Sequence, residues 1–272
     1  PAVDEQGRLL LAAPDALVLA PNGNGGLFAA LRDSGALDLI DNLGVETISY
    51  IQVDNALALS CDPLFVGVHL QQGAEFSCKA IPKTGPLEKV GNFASIDGRL
   101  GIVEYTELPE ELARATDASG ELRFGHGNPG LFLWSVPFAR AQAERTDLPY
   151  HKAHKKIAHL DATGRLIEPE RPCGYKLESF ALDTLVDARR TALLVCERDA
   201  EFAPVKNATG VDSPHSARQL LDSLHRRWIG QAGGRVADGV QIEINPRYAL
   251  DGQELRARLP AGFTAEQDTY LV

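Results

Sequence analysis

Ala20-Pro21-Asn22-Gly23-Asn24-Gly25-Gly26-Leu27 is the stretch around which this chain is organised. An apolar run, Ala16 to Ala20, leads into it, and a helical pattern, Leu27 to Leu31, leads away. Three glycines in four positions free the backbone to take positive φ and to lie against a ligand with no Cβ in the way. The helix that follows aims unpaired N–H groups back at the loop, an arrangement that favours an anion. Outward from this loop strands alternate with helices through residues 16 to 200, which predicts an α/β sandwich.

Downstream, Leu27, Phe28, Leu31, Leu37, Ile40 and Leu43 recur at helical spacing, with a break at Ser34-Gly35. Val45 to Val53 is rich in β-branched and aromatic residues and reads as a buried strand ending in Asp54-Asn55. Open α/β sheets place ligands at such strand ends. Asp62-Pro63 opens a helix to about Gln72, Phe76 to Ile81 is the next strand, and Val90 to Ile96 and Leu100 to Tyr105 alternate around the hairpin signal Asp97-Gly98. Pro109 to Ala115 reads as a short helix. Leu131 to Ser135 reads as a strand behind the glycine-rich run Gly125 to Gly130, with a helix from Pro137. Glu178 to Ala188 is predicted helical and Thr191 to Cys196 extended, and Ser213 caps a helix to about Trp228. Upstream, Arg8 to Ala12 and Ala16 to Ala20 are strand-forming segments parted by Pro14-Asp15. Residues 1–205 are assigned to the α/β domain. Residues 206–272 are assigned to a C-terminal helix and a small β lobe of short alternating segments such as Val240 to Ile244.

The totals narrow the function. With 27 basic against 37 acidic residues the net charge is −10, so there is no polybasic footprint for nucleic acid, although local lysines and amides can still hold a phosphate. Cys61, Cys78, Cys173 and Cys196 are scattered with no metal-ligand or disulfide spacing, which predicts a reducing cytoplasm. No apolar run reaches membrane-spanning length. The chain starts at Pro1 and has no methionine, so it is read as part of a longer protein.

Short motifs along the chain resemble, in order, those of the eukaryotic-type UDP-N-acetylhexosamine pyrophosphorylases. A-P-N-G-N-G-G-L is similar to that family's second glycine loop, commonly A-P-D-G-N-G-G, with Asn22 where aspartate is usual. Then come V-D-N at Val53 to Asn55, D-P-x-F-x-G at Asp62 to Gly67, V-G at Val90-Gly91 and V-E-Y-x-E at Val103 to Glu107. G-x-G-N at Gly125 to Asn128, H-K-K-I at His154 to Ile157 and G-Y-K-L-E-S-F at Gly174 to Phe180 follow, then E-F-A-P-V-K-N at Glu201 to Asn207 and L-H-x-x-W at Leu224 to Trp228. The likeness fades after about residue 234. The family's first signature, G-G-x-G-T-R-L-G followed by P-K-G, is absent from this chain and is expected upstream of it.

The resemblance implies a three-layer nucleotidyltransferase domain, Rossmann-like and GT-A-like, with a mixed sheet. It implies uridylyl transfer, in which a sugar-1-phosphate oxygen attacks the α-phosphorus of UTP and pyrophosphate leaves, with Mg²⁺ assisting and UDP-sugar as product. Such chemistry needs in-line positioning and neutralisation of oxygen charge more than covalent help. Asp54 is the implied metal carboxylate; for an isolated Asp-Asn, capping a turn is the commoner role. Gly23 and Asn24 are implied at the uridine and sugar. Gly91, Glu104 and Asn128 correspond to positions that hold sugar hydroxyls and the acylamino group, and Phe180 and Leu182 to positions beside the sugar. On spacing alone the last two are a core helix face. Lys176 and Lys206 are the implied phosphate lysines, with Lys206 also at the sugar phosphate and Lys176 at the nucleotide. His151, His154 and His159 are interleaved with Lys152, Lys155 and Lys156, which would repel a cation, so they read as a solvated basic segment. N-acetylglucosamine-1-phosphate is the implied substrate. Glucose- or galactose-1-phosphate, a fragment that only binds UDP-sugar, and a UDP-sugar glycosyltransferase stand as alternatives.

Overall fold

The computed structural model describes residues 1–272 throughout. Strand β1 (Val3–Asp4) is followed by a hairpin of Leu11–Ala13 with Ala16–Leu17. The glycine loop delivers α1 (Leu27–Asp33) and α2 (Ala36–Asn42), and then β2 (Thr47–Tyr50). Next come α3 (Pro63–Gln71), β3 (Phe76–Pro82), the hairpin of β4 (Gly91–Ile96) and β5 (Arg99–Val103), β6 (His126–Asn128), β7 (Phe132–Ser135) and α4 (Val136–Ala143). After β8 (His151–Lys155) and β9 (Gly174–Glu178) a 3-10 helix, Ala181–Asp187, leads to β10 (Thr191–Val195), α5 (Arg198–Glu201) and the long α6 (Pro214–Gln231).

Seven strands form one mixed sheet in the order β2-β7-β3-β6-β4-β5, with β10 parallel to β3 and the other pairs antiparallel. β3 is buried from Phe76 to Ile81, so its alternating side chains serve two different layers. Phe76, Cys78 and Ala80 pack with Phe28, Leu37, Phe132, Trp134 and Phe138 beneath α1, α2 and α4. On the other face Ser77 meets His69 of α3 at 2.7 Å, and Lys79 reaches Asp62 and Glu201, each at 2.6 Å. The outcome is the expected three-layer α/β body. A separate three-stranded sheet, in the order β1-β9-β8, flanks it.

Local chemistry explains where elements start and stop. Asp62 accepts from the Leu64 N–H at 2.9 Å and Ser213 from the Ser216 N–H at 3.3 Å, capping α3 and α6 as their Asx-Pro and Ser-Pro sequences predict. Asp97 and Gly98 take φ of 50° and 79°, the pair of positive values a tight primed hairpin turn requires. Three expectations change. The strand expected over Val45 to Val53 is only Thr47–Tyr50, because its one partner, β7, supplies just four opposing residues, from Ser135 to Phe132. The helix expected from Glu178 begins instead at Ala181, is of the 3-10 type, and leaves Glu178 in β9. β8, inside the segment read as a solvated basic patch, is a paired strand.

Beyond α6, Arg235–Val236 pairs in parallel with Thr264–Ala265, and Ile242–Ile244 with Thr269–Leu271. Parallel pairs need a long crossover, and here it contains the helix Gly252–Arg258. The lobe therefore holds short strands, as expected, with a helix among them. Its own core gathers Ile229, Ile242, Ile244 and Leu255. No helix in the chain is long and apolar enough to cross a membrane.

Candidate functional site

The glycine loop owes two of its glycines to the chain itself. Gly23 has φ of 79°, and a Cβ there would run into the Ser179 carbonyl; at Gly25 it would meet the Ser179 side chain and carbonyl carbon. The backbones lock together, with Gly25 N–H donating to Ser179 O at 2.9 Å and Ser179 N–H to Asn22 O at 2.8 Å. These glycines therefore admit the segment after β9, whose Ser179 occupies the side a Cβ would take. Asn24 is likewise engaged: its amide donates to Tyr50 Oη and accepts from the Ala181 N–H, both at 2.8 Å. Asn22 contributes its backbone, and its exposed side chain makes no hydrogen bond, so the fold is indifferent to asparagine in place of aspartate there. Gly23→Ala combines αL strain with a backbone clash and is expected to destabilise the fold by about 1–3 kcal/mol. An unchanged urea midpoint would remove the loop's structural role.

Through Asn24 and Ser179 the loop ties the end of β2 to the start of the 3-10 helix. Around that junction several of the expected site residues meet. Gly91 and Asn128 are directly paired across β4 and β6, and β5 brings Glu104 in from the other side. A Cβ on Gly91 would lie 3.3 Å from Glu104 Oε1, 3.6 Å from Asn128 Cβ and 2.8 Å from Ile102. Three motifs far apart in sequence thus line one spot, where glycine lets Ile102, the Glu104 carboxylate and Asn128 come close together. Asn128 Oδ1 accepts from the Gly130 N–H at 2.9 Å, leaving its NH₂ group without a partner in the chain.

Asp54 and Lys206 lie on neighbouring extended segments. Val205 N–H donates to Asp54 O at 2.8 Å, and Asn55 pairs with Pro204. Buried Asn55 clamps the two segments, donating to Glu201 O at 2.7 Å and accepting from the Ala203 N–H at 2.8 Å. The Asp54 carboxylate is half-buried and makes no hydrogen bond or ion pair. No group of three or more His, Cys, Asp or Glu side chains is arranged to hold a metal ion. A single free carboxylate suits Mg²⁺, which is held by one or two protein oxygens plus water and substrate phosphates. Lys176 stands apart: it lies in β9 opposite Ala153 and makes no ion pair.

The charges around Glu104 add to what the motifs show. Burial pushes the Glu104 carboxyl above its usual range, and nearby Glu107 and Asp183 push the same way, while His151 and Lys206 pull it down. Lys206 therefore acts on Glu104 as well as lying beside the Asp54 segment. His151 Nδ1 is 2.7 Å from Glu107 Oε1, and its Nε2 is 3.0 Å from Asp183 Oδ1. Burial opposes charge on the imidazole, but these two carboxylates outweigh it and raise its pKa. By linkage, its contribution to stability is full below the ordinary histidine pKa and fades as pH rises through the folded value. Phe180 lies against His151, with ring centroids 5.0 Å apart, whereas Leu182 packs on the main core. The alternating lysines conceal His151, and no polar–apolar alternation marks the strand that carries it. The four cysteines are free, and burial pushes the Cys196 thiol up to about 12, which keeps that thiol protonated.

Comparison with known proteins places the chain in a family. A family model described as UTP–glucose-1-phosphate uridylyltransferase matches residues 1–238. A Homo sapiens protein named UDP-N-acetylhexosamine pyrophosphorylase-like protein 1 is 37% identical over 242 residues, covering 88% of this chain and 48% of its own length. UDP-N-acetylglucosamine diphosphorylase 2 of Arabidopsis thaliana is 36% identical over 269 residues, covering 94% of this chain and 52% of its own. The crystal structure of the Trypanosoma brucei uridine diphosphate N-acetylglucosamine pyrophosphorylase with an inhibitor aligns at a TM-score of 0.77 and 30% identity, covering 98% of this chain and 60% of that one. The chain spans about half the length of the curated relatives it matches.

Proposed function

The chain belongs to the UTP–glucose-1-phosphate uridylyltransferase family, and from that membership we propose that the protein makes UDP-N-acetylglucosamine and pyrophosphate from UTP and N-acetylglucosamine-1-phosphate. The observation that carries this reading is the convergence of Gly91, Glu104 and Asn128 on one spot. An ionised Glu104 can accept from two sugar hydroxyls, the Asn128 amide can donate to an oxygen, and Gly91, with no Cβ, lets these two side chains come together beside the sugar. Lys206 is then the cation for the sugar phosphate, and Lys176 for the nucleotide phosphates. Gly23 and Asn24 form the wall beside the uridine and sugar.

The work assigned to these residues is positioning. The sugar-1-phosphate oxygen forms the new bond to the α-phosphorus of UTP as the bond to the departing pyrophosphate breaks, and fixed cations balance charge on the oxygens throughout. Asp54, with the phosphates, would hold Mg²⁺, which supplies further neutralisation when bound. Free cysteines and a UTP-consuming reaction suit a reducing cytoplasm.

Product analysis tests the reading. With UTP and N-acetylglucosamine-1-phosphate the full-length protein should release pyrophosphate, faster than with glucose- or galactose-1-phosphate. No pyrophosphate from any pair, or release of UDP from UDP-sugar in the presence of an acceptor, would overturn it.

A further inference from the structure

We propose that His151 is a positioning residue for the sugar end of this site: as a cation clamped between Glu107 and Asp183, it keeps neighbouring Glu104 ionised and braces Phe180. The inference rests on the function proposed above for Glu104. Its physical basis is the pairing of both ring nitrogens. A neutral imidazole has one N–H, yet a carboxylate oxygen faces Nδ1 at 2.7 Å and another faces Nε2 at 3.0 Å. Only the doubly protonated ring donates to both. The side chain is 20% exposed, so the charge is held in place and incompletely screened by water.

Each partner connects His151 to the proposed sugar pocket. The Glu107 N–H donates to Glu104 O at 2.9 Å, which puts both acids on one turn after β5. Asp183 uses Oδ2 to accept from the Phe180 N–H at 3.1 Å, fixing the backbone of the residue whose ring lies against His151. The groups acting on Glu104 are thus Glu107 from its own turn, Asp183 from the 3-10 helix, His151 from β8 and Lys206 from the facing segment. Three acids crowd one place, and burial already favours protonated Glu104. A protonated carboxyl accepts fewer hydrogen bonds and loses its charge-assisted grip on sugar hydroxyls. The imidazolium offsets that tendency. Lys152 does not share this task, since it alternates to the other face of β8 and lies 6.0 Å over the Tyr175 ring.

Two measurements test the proposal. In this chain, the His151 ring signals followed by NMR should titrate above the ordinary value of about 6.5 and move down in Asp183→Asn. Titration at or below that value overturns the proposal whatever the protein catalyses. In the full-length protein, His151→Gln should shift the acid limb of kcat/KM for the sugar-1-phosphate up by about one pH unit. Activity then falls by up to about tenfold at pH values below both limbs and little above them, with the KM for UTP unchanged and the limb restored in His151→Gln/Asp183→Asn. An equal loss at every pH, or no shift of the limb, overturns it. If the wild type releases no pyrophosphate, the functional reading fails, and the ring titration still decides whether His151 is the clamped cation.

Discussion

Asp54→Ala is expected to lower Mg²⁺-dependent uridylyl transfer by roughly three orders of magnitude while changing stability by no more than about 0.5 kcal/mol. The two halves of that expectation have separate causes. The carboxylate makes no hydrogen bond or ion pair within the chain, and the tie to the neighbouring segment runs through the Asp54 carbonyl, which alanine keeps. Little folding free energy depends on the side chain. By contrast, in the proposed site it is a free acid on the segment beside Lys206, where a cation would meet the phosphates. Pyrophosphate release and a thermal melt on the same preparation separate the outcomes. Unchanged turnover would refute the metal role, and a large fall in Tm would assign Asp54 to the fold.

The second large effect is on stability. Lys79 is 1% exposed on β3 and pairs with Asp62 and Glu201, each at 2.6 Å. Burial disfavours its charge, but these two acids more than compensate and raise its pKa. Lys79→Met would fit the space and strand two carboxylates that are themselves only 13% and 16% exposed. Breaking a buried pair in this way costs about 3–5 kcal/mol, a large share of a typical domain's stability. Neutralising the acids as well, in Lys79→Met/Asp62→Asn/Glu201→Gln, should recover most of the loss, since an asparagine side chain still supplies the oxygen that caps α3. Urea unfolding of the single and triple variants is the measurement. A single variant as stable as wild type would mean that water reaches the acids and that the cluster is incidental. Because Asn55 bonds the Glu201 carbonyl, disorder at this cluster should also reach the segment carrying Asp54 and Lys206.

The residues of the proposed site are legible unequally in the sequence, for physical reasons. Gly91, Glu104 and Asn128 stand out by motif, and the hairpin signal at Asp97-Gly98 fixes how β4 returns along β5. What no local pattern contains is the pairing of β6 with β4, which completes the trio. The glycine loop is conspicuous, but its composition alone does not say what comes close to it: close approach requires glycine whether the approaching group is a ligand or, as at Gly23 and Gly25, another stretch of backbone. β8 carries no comparable signal, because His151-Lys152-Ala153-His154-Lys155 is polar on both faces and owes its extended form to pairing with β9. With β8 goes His151, whose meaning depends on acids 44 and 32 residues away. Lys176 rests on its motif alone, and nothing in its surroundings adds to that reading.

A cleft of about 800 Å³, lined by Leu57, Leu224, Trp228, Ile244 and Ala249, lies between the segment after Asp54 and the C-terminal lobe and offers a ligand a different home. A crystal structure of the protein with UDP-N-acetylglucosamine therefore bears most directly on the central claim. The expected result has the acetamido sugar against Gly91, its polar groups on Glu104 and Asn128, and the diphosphate toward Lys206 and Asp54. Ligand density in the cleft beside Trp228, with the Gly91–Glu104–Asn128 spot empty, would contradict it.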